Sequence, residues 1–156
     1  MRTTRTAKHL VLHLSAREKR LLFEILKLYP RIPPGHLCLS KFSHGKETQS
    51  NERLLEEALA EQRLENQKQL KALLADPQRW KGDKMNFRLT LSHSEVEWLL
   101  QVLNDIRVGS WVMLGSPQQV HDLALLNEAT APHFWAMEVS GLFQQQLIET
   151  LAEGKL

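Results

Sequence analysis

The first apolar rhythm along the chain has a period of two. In LVLHLS, Leu10, Leu12 and Leu14 alternate with Val11 and His13, and alternation puts every second side chain on one face of a β-strand. Directly behind the leucines stands Ser15-x-x-Glu18. Such a pair starts a helix: the serine oxygen accepts from the third amide, and the glutamate reaches back to the cap amide. The same succession returns in FRLTLSHSEVEWLLQVL. Leu12 and Leu89 lie 77 positions apart, and so do Leu14 and Leu91, Ser15 and Ser92, Glu18 and Glu95, Leu21 and Trp98, and Leu26 and Leu103. A strand-cap-helix unit occurring twice predicts two short strands suited to pair as a small sheet, with both following helices packed on its buried face.

Elsewhere the patterning is helical. Residues 30–50 open with Pro30, Pro33 and Pro34 and contain Gly35 and Gly45, which predicts an irregular loop. Residues 51–75 are rich in strong helix formers and stop before Asp76-Pro77, where proline disfavours helix in the residue preceding it. The seam of that helix reads Leu55, Leu59, Gln62, Asn66, Leu70 and Leu73. A polar centre between leucine ends suits either register fixing in a helix pair or one face of a long, half-exposed helix. Gly115-Ser116-Pro117 predicts the end of one helix and the start of a short one running to Leu126. Thr130 and Pro132 start a final helix to Glu153, whose many apolar residues, among them Trp135, Leu142, Phe143 and Ile148, predict a central core helix. The expected architecture is one mainly α domain over residues 1–156, with about five helices and two short strands.

Composition adds bounds. A chain of 156 residues with 42% hydrophobic and 24% charged side chains is of ordinary globular make-up. No apolar run approaches the roughly 18 residues of a membrane span, and the basic start lacks a signal peptide's apolar stretch, so the expectation is a cytoplasmic protein with no membrane partner. Cys38 is the single cysteine, which agrees with a reducing compartment. Charge is segregated. Residues 1–31 hold Arg2, Arg5, Lys8, Arg17, Lys19, Arg20, Lys27 and Arg31 against Glu18 and Glu24, whereas residues 108–154 contain no lysine or arginine.

Candidate chemistry is sparse. The most conspicuous polar group on an apolar helix is Asn104, Asp105 and Arg107, set beside a buried stripe of Trp98, Leu99, Val102, Leu103 and Ile106. Asp105 and Arg107 fall on nearly opposite sides of a helix and cannot pair with each other. Arg107 is expected to meet a carboxylate from another helix, with Asp122 and Glu128 as candidates, and the three residues read as a structural polar cluster. His36, Cys38 and His44 share one loop, but their spacing matches no strong zinc pattern. No metal or other cofactor is expected.

Residues 96–115, VEWLLQVLNDIRVGSWVMLG, resemble the most recognisable segment of an uncharacterised bacterial family, a domain of unknown function. In that family a Trp-Leu start leads into Leu-Asn-Asp-hydrophobic-Arg and later a glycine. Trp98, Leu99, Leu103, Asn104, Asp105, Arg107 and Gly115 match as they stand. The family pattern continues with a second arginine, where this chain has Ser110 to Leu114 instead. The resemblance covers about twenty residues; it implies an intracellular, regulatory role, because family members are often encoded beside a Clp protease adaptor and some carry a transcriptional-regulator label.

No phosphate-cradling glycine loop, serine-nucleophile elbow or paired acidic motif is present, and nothing assembles a nucleophile, a base and an oxyanion site. The expected function is a non-catalytic protein-interaction or regulatory module with an unidentified protein partner and an open oligomeric state. Its contact surface would be the long polar-centred helix or the loop from Pro30 to Lys46. The alternative is a nucleic-acid-binding regulator that uses the basic N-terminal segment, Arg2, Arg5 and Lys8. PQQVHDLALLN is a poor recognition helix, having amides but no cation for phosphates.

Overall fold

Ser15 and Ser92 each close a complete capping box. Each serine oxygen accepts from the backbone N–H of the glutamate three residues on at 3.2 Å, and that glutamate accepts the serine N–H at 2.8 Å. These caps set the frame of a computed structural model that describes residues 1–31, 46–119 and 122–153. In chain order the elements are β1 (Arg2–Arg5), β2 (His9–Ser15), α1 (Ala16–Leu26), α2 (Lys46–Ala75), β3 (Trp80–Gly82), β4 (Asn86–Ser92), α3 (His93–Met113) and α4 (Ala131–Glu153). A single 3₁₀ turn spans Leu123–Leu125.

The two period-two segments pair antiparallel as the centre of one sheet, ordered β1-β2-β4-β3. Leu12 faces Leu89 across the β2–β4 ladder. These are also equivalent positions of the repeat, so an approximate two-fold axis passes between them. The duplication extends further than the leucine pattern shows: Thr3 faces Leu12 and Trp80 faces Leu89, and positions 3 and 80 are again 77 apart. The repeated unit is therefore a hairpin plus helix, and the sheet has four strands where two were expected. The edge strands RTTR and WKG are too short and too polar to show alternation. Ladder pairing with β2 and β4 recruits them.

One face of the sheet is the core. Leu10, Leu12, Leu14, Leu89 and Leu91 are 0–1% exposed and cluster with Leu22, Ile25 and Leu26 of α1 and Val96, Leu99, Leu103 and Ile106 of α3. Helix predominates, but the described residues hold four α-helices rather than about five. Among the described residues, the short helix expected after Pro117 is reduced to the 3₁₀ turn capped by Asp122. Gly115 does leave α3 in the left-handed region, at φ 89°.

Helix α2 starts at Lys46, inside the segment expected to be irregular, and runs to Ala75. Residues 32–45, with His36, Cys38 and His44, lie outside the described residues, as does most of the proposed contact loop. The α2 seam divides in two: Asn66, Leu70 and Leu73 are buried, while Leu55 and Leu59 are exposed. Asn66 donates to the Tyr29 hydroxyl at 2.9 Å and accepts from the Trp98 indole at 3.2 Å and from the Gln62 amide at 3.0 Å. The polar centre thus fixes register within the chain, between α2, α3 and the end of α1. Helix α4 flanks the core rather than threading it: Ala136, Phe143 and Leu147 are buried, but Trp135, Leu142 and Ile148 are 38–55% exposed. No helix among the described residues is long and apolar enough to cross a membrane.

Candidate functional site

Asn104, Asp105 and Arg107 do not form one site. Successive residues of a helix diverge by about 100°, and α3 has different neighbours on its two sides. Arg107 and Asn104 turn toward α4: Arg107 Nη2 donates to Asn104 Oδ1 at 2.9 Å, and Nε donates to Gln144 Oε1 at 3.2 Å. The Gln144 amide closes the triangle by donating to Asn104 Oδ1 at 3.3 Å. The expected ion pair of Arg107 with Asp122 or Glu128 is absent among the described residues. Its partners are neutral amides, because the surface of α4 facing this part of α3 presents Gln144. Gln144 is a residue the sequence reading passed over, since a glutamine on an amphipathic helix carries no signal of its own.

Asp105 lies in a separate hollow between α2 and α3 that also holds Tyr29, Arg63 and Asn66. Although much of Asp105 remains open to solvent, partial burial of its carboxyl raises its pKa, and the charge of Arg63 works the other way.

A groove of about 740 Å³ runs between α3 and α4. Trp111 and Met137 contribute to its walls beside three large apolar side chains left open to solvent, Val108 (39% exposed), Leu142 (55%) and Ile148 (49%). Its polar rim carries Glu138 and Glu149, with Arg107 as the cation. Helix pairing explains how so much apolar surface stays outside: α4 spends one face on the core, and its second apolar face has no element over it among the described residues. Exposed apolar side chains gathered at one concavity mark contact surfaces more often than isolated ones do.

The basic N-terminal trio is also divided. Arg2 and Thr4 alternate with Thr3 and Arg5, so they point to opposite faces of β1. Arg2 lies on the face of the sheet away from the helices. Arg5 lies on the helix side, where Nη1 donates to the Leu151 carbonyl near the end of α4 at 3.2 Å. Lys8 lies in the β1–β2 turn. Strand parity thus puts Arg2 and Arg5, adjacent in the linear charge count, on opposite faces of the sheet. Among the described residues no group of three or more His, Cys, Asp or Glu side chains is placed to hold a metal ion. No protein-family model, curated protein or solved structure matches this chain.

Proposed function

We propose that this protein is a non-catalytic interaction module of the cytoplasm, and that the α3–α4 groove receives a helical segment of a partner protein. The observation that carries this reading is the apolar wall of Val108, Leu142 and Ile148, exposed around one groove on two adjacent helices. A helix laid in such a groove buries anchors spaced three and four residues apart. The rim selects its flanks. Glu138 and Glu149 stand at the edge outside any ion pair among the described residues, Glu149 accepting only the neutral Gln145 amide at 3.0 Å, while Arg107 is already engaged by Asn104 and Gln144, so the partner segment is apolar on one side and bears lysine or arginine beside it.

The regulatory part of the reading rests on the resemblance of residues 96–115 to the family often encoded beside a Clp adaptor. That segment supplies Arg107, Val108 and Trp111, one wall of the groove. A photo-crosslinking residue at position 142, placed in the protein in bacterial cells, tests the proposal. The expected product is a crosslink to an apolar, basic helix, and a synthetic peptide of that sequence loses binding to Ile148→Glu at unchanged melting temperature. Crosslinks spread over unrelated proteins, or peptide binding indifferent to Ile148→Glu, would refute it.

A further inference from the structure

The register of the sheet lines up one outward-facing residue from every strand. Arg2 faces His13, His13 faces Arg88, and Arg88 faces Lys81. Strand parity puts all four on the side opposite the leucine core. At strand spacings of about 4.8 Å the row spans roughly 14 Å. Arg2, Lys81 and Arg88 are exposed, and among the described residues none of them is in an ion pair.

Such a row opposes folding. Like charges directly across a ladder are destabilising, and Arg88 and Lys81 are directly opposed. Two carboxylates share a hollow with Arg2 and Arg88, but neither is within ion-pair distance of the row: Asp83 Oδ1 accepts the Met85 and Asn86 amides at 2.8 Å each, and Glu18 holds the capping box of α1 and the Met1 amino group. Burial, and then the charges of Arg2 and Arg88, hold the His13 imidazole below its ordinary pKa, so the field is felt at the middle of the row.

The fold contains its own control. The repeat carries Arg2, His13, Arg88 and Lys81 onto positions 79, 90, 11 and 4. That second row is Thr4, Val11 and Thr90, ending at Arg79, whose charge is spent on Glu95 at 2.9 Å. The same backbone therefore accepts a row with no free charge, and nothing in the architecture calls for three unpaired cations in its twin.

We propose that the open face of the sheet binds the phosphate backbone of double-stranded DNA through Arg2, Arg88 and Lys81. A row of about 14 Å is comparable to the ~12 Å width of a major groove, so its ends reach phosphates of the two strands lining it. No outward-facing strand residue is Phe, Tyr or Trp, which removes the stacking platforms that single strands need. Thr90 and Asn86 add hydroxyl and amide donors for backbone oxygens, while the Thr4 hydroxyl is bonded to His13 Nε2 at 3.0 Å. Contacts of this kind are sequence-independent. The proposal is independent of the α3–α4 groove, which lies on the helical side.

Fluorescence anisotropy with a labelled 20-base-pair DNA duplex, an RNA duplex and a single strand tests it, with phosphatidylserine vesicles in parallel. Three phosphate contacts give a log–log salt slope of about −2.7, or roughly a fortyfold loss of duplex affinity between about 50 and 200 mM salt. Arg2→Ala/Lys81→Ala/Arg88→Ala is expected to flatten that slope and lose at least about tenfold in affinity at low salt, while Lys68→Ala/Lys71→Ala on α2 changes nothing. The triple variant melts at or above the wild-type temperature, because like charges have been removed. Tighter binding of the DNA duplex than of the RNA duplex and the single strand supports the proposal, and preference for the RNA duplex, whose major groove is too narrow for the row, overturns it. Overturning it would be no duplex binding at low salt, single strands bound more tightly than duplexes, vesicles bound in place of duplexes, an unchanged slope in the triple variant, or a lowered melting temperature that makes the row structural.

Discussion

Asn66 is the residue through which α2 is held in register, and Asn66→Ala measures how firmly. The side chain is 3% exposed and makes three hydrogen bonds, to Gln62, Tyr29 and Trp98. Truncation leaves the Trp98 indole N–H without its acceptor and the Tyr29 hydroxyl without its donor. Tyr29 is 5% exposed, so water reaches its hydroxyl poorly. Leaving a buried polar group unsatisfied costs about 1–3 kcal/mol. Two such groups, with the Gln62 bond at the solvent edge adding little, give a loss of about 2–4 kcal/mol. In a domain of this size one kcal/mol moves the midpoint by about 2–4 °C, so a loss near 3 kcal/mol lowers it by roughly 6–12 °C. Circular dichroism melts and urea titrations read this directly. Tyr29→Phe costs less alone, about 1 kcal/mol, and in the double variant its effect largely disappears, because the bond it removes is already gone. A midpoint within about 2 °C of wild type, or strictly additive effects, would show that the polar centre does not hold α2.

Other expectations follow from single contacts. Gly109 is passed by the 29–31 segment so closely that an added Cβ would stand 2.3 Å from the Arg31 carbonyl oxygen; Gly109→Ala should cost about 1–3 kcal/mol by forcing a backbone shift, seen as a lower urea midpoint. Ser92→Ala removes the cap of α3 and should cost about 1 kcal/mol, checked by the same titration. For Glu95, burial raises the pKa, but the bond and charge of Arg79 and the Ser92 amide outweigh it and leave the carboxyl below its ordinary value. Its stabilisation is therefore complete above the ordinary glutamate range and fades as pH falls through the folded value, and Arg79→Met should flatten that part of the acid-unfolding profile. Asp105 has the opposite sign, its pKa raised by burial, so Asp105→Asn should stabilise at neutral pH and make no difference in acid, as melts at the two pH values would show.

The secondary structure near the repeat was legible in local chemistry. Leu10, Leu12 and Leu14, Ser15 and Glu18, and their counterparts 77 positions on each act within a few residues of themselves, through alternation and capping. Locality is why they could be read, and why both strand-to-helix junctions stand where the pattern put them. The starts of α4 and the exit of α3 at Gly115 belong to the same class.

What the linear pattern could not hold was pairing. Strands β1 and β3 exist because β2 and β4 offer them free ladder edges, and nothing in RTTR or WKG signals this alone. Register then decided the sites: it separated Arg2 from Arg5 by strand parity, and it lined up Arg2, His13, Arg88 and Lys81 from four distant segments. Helix packing likewise sent Arg107 to Gln144 instead of a carboxylate and left Leu142 and Ile148 outside the core. Sequence by itself determined β2, β4 and the capped starts of α1 and α3, because capping and alternation act over a few residues. Only the tertiary structure decided which side chains share a surface, because that depends on partners far away in the chain.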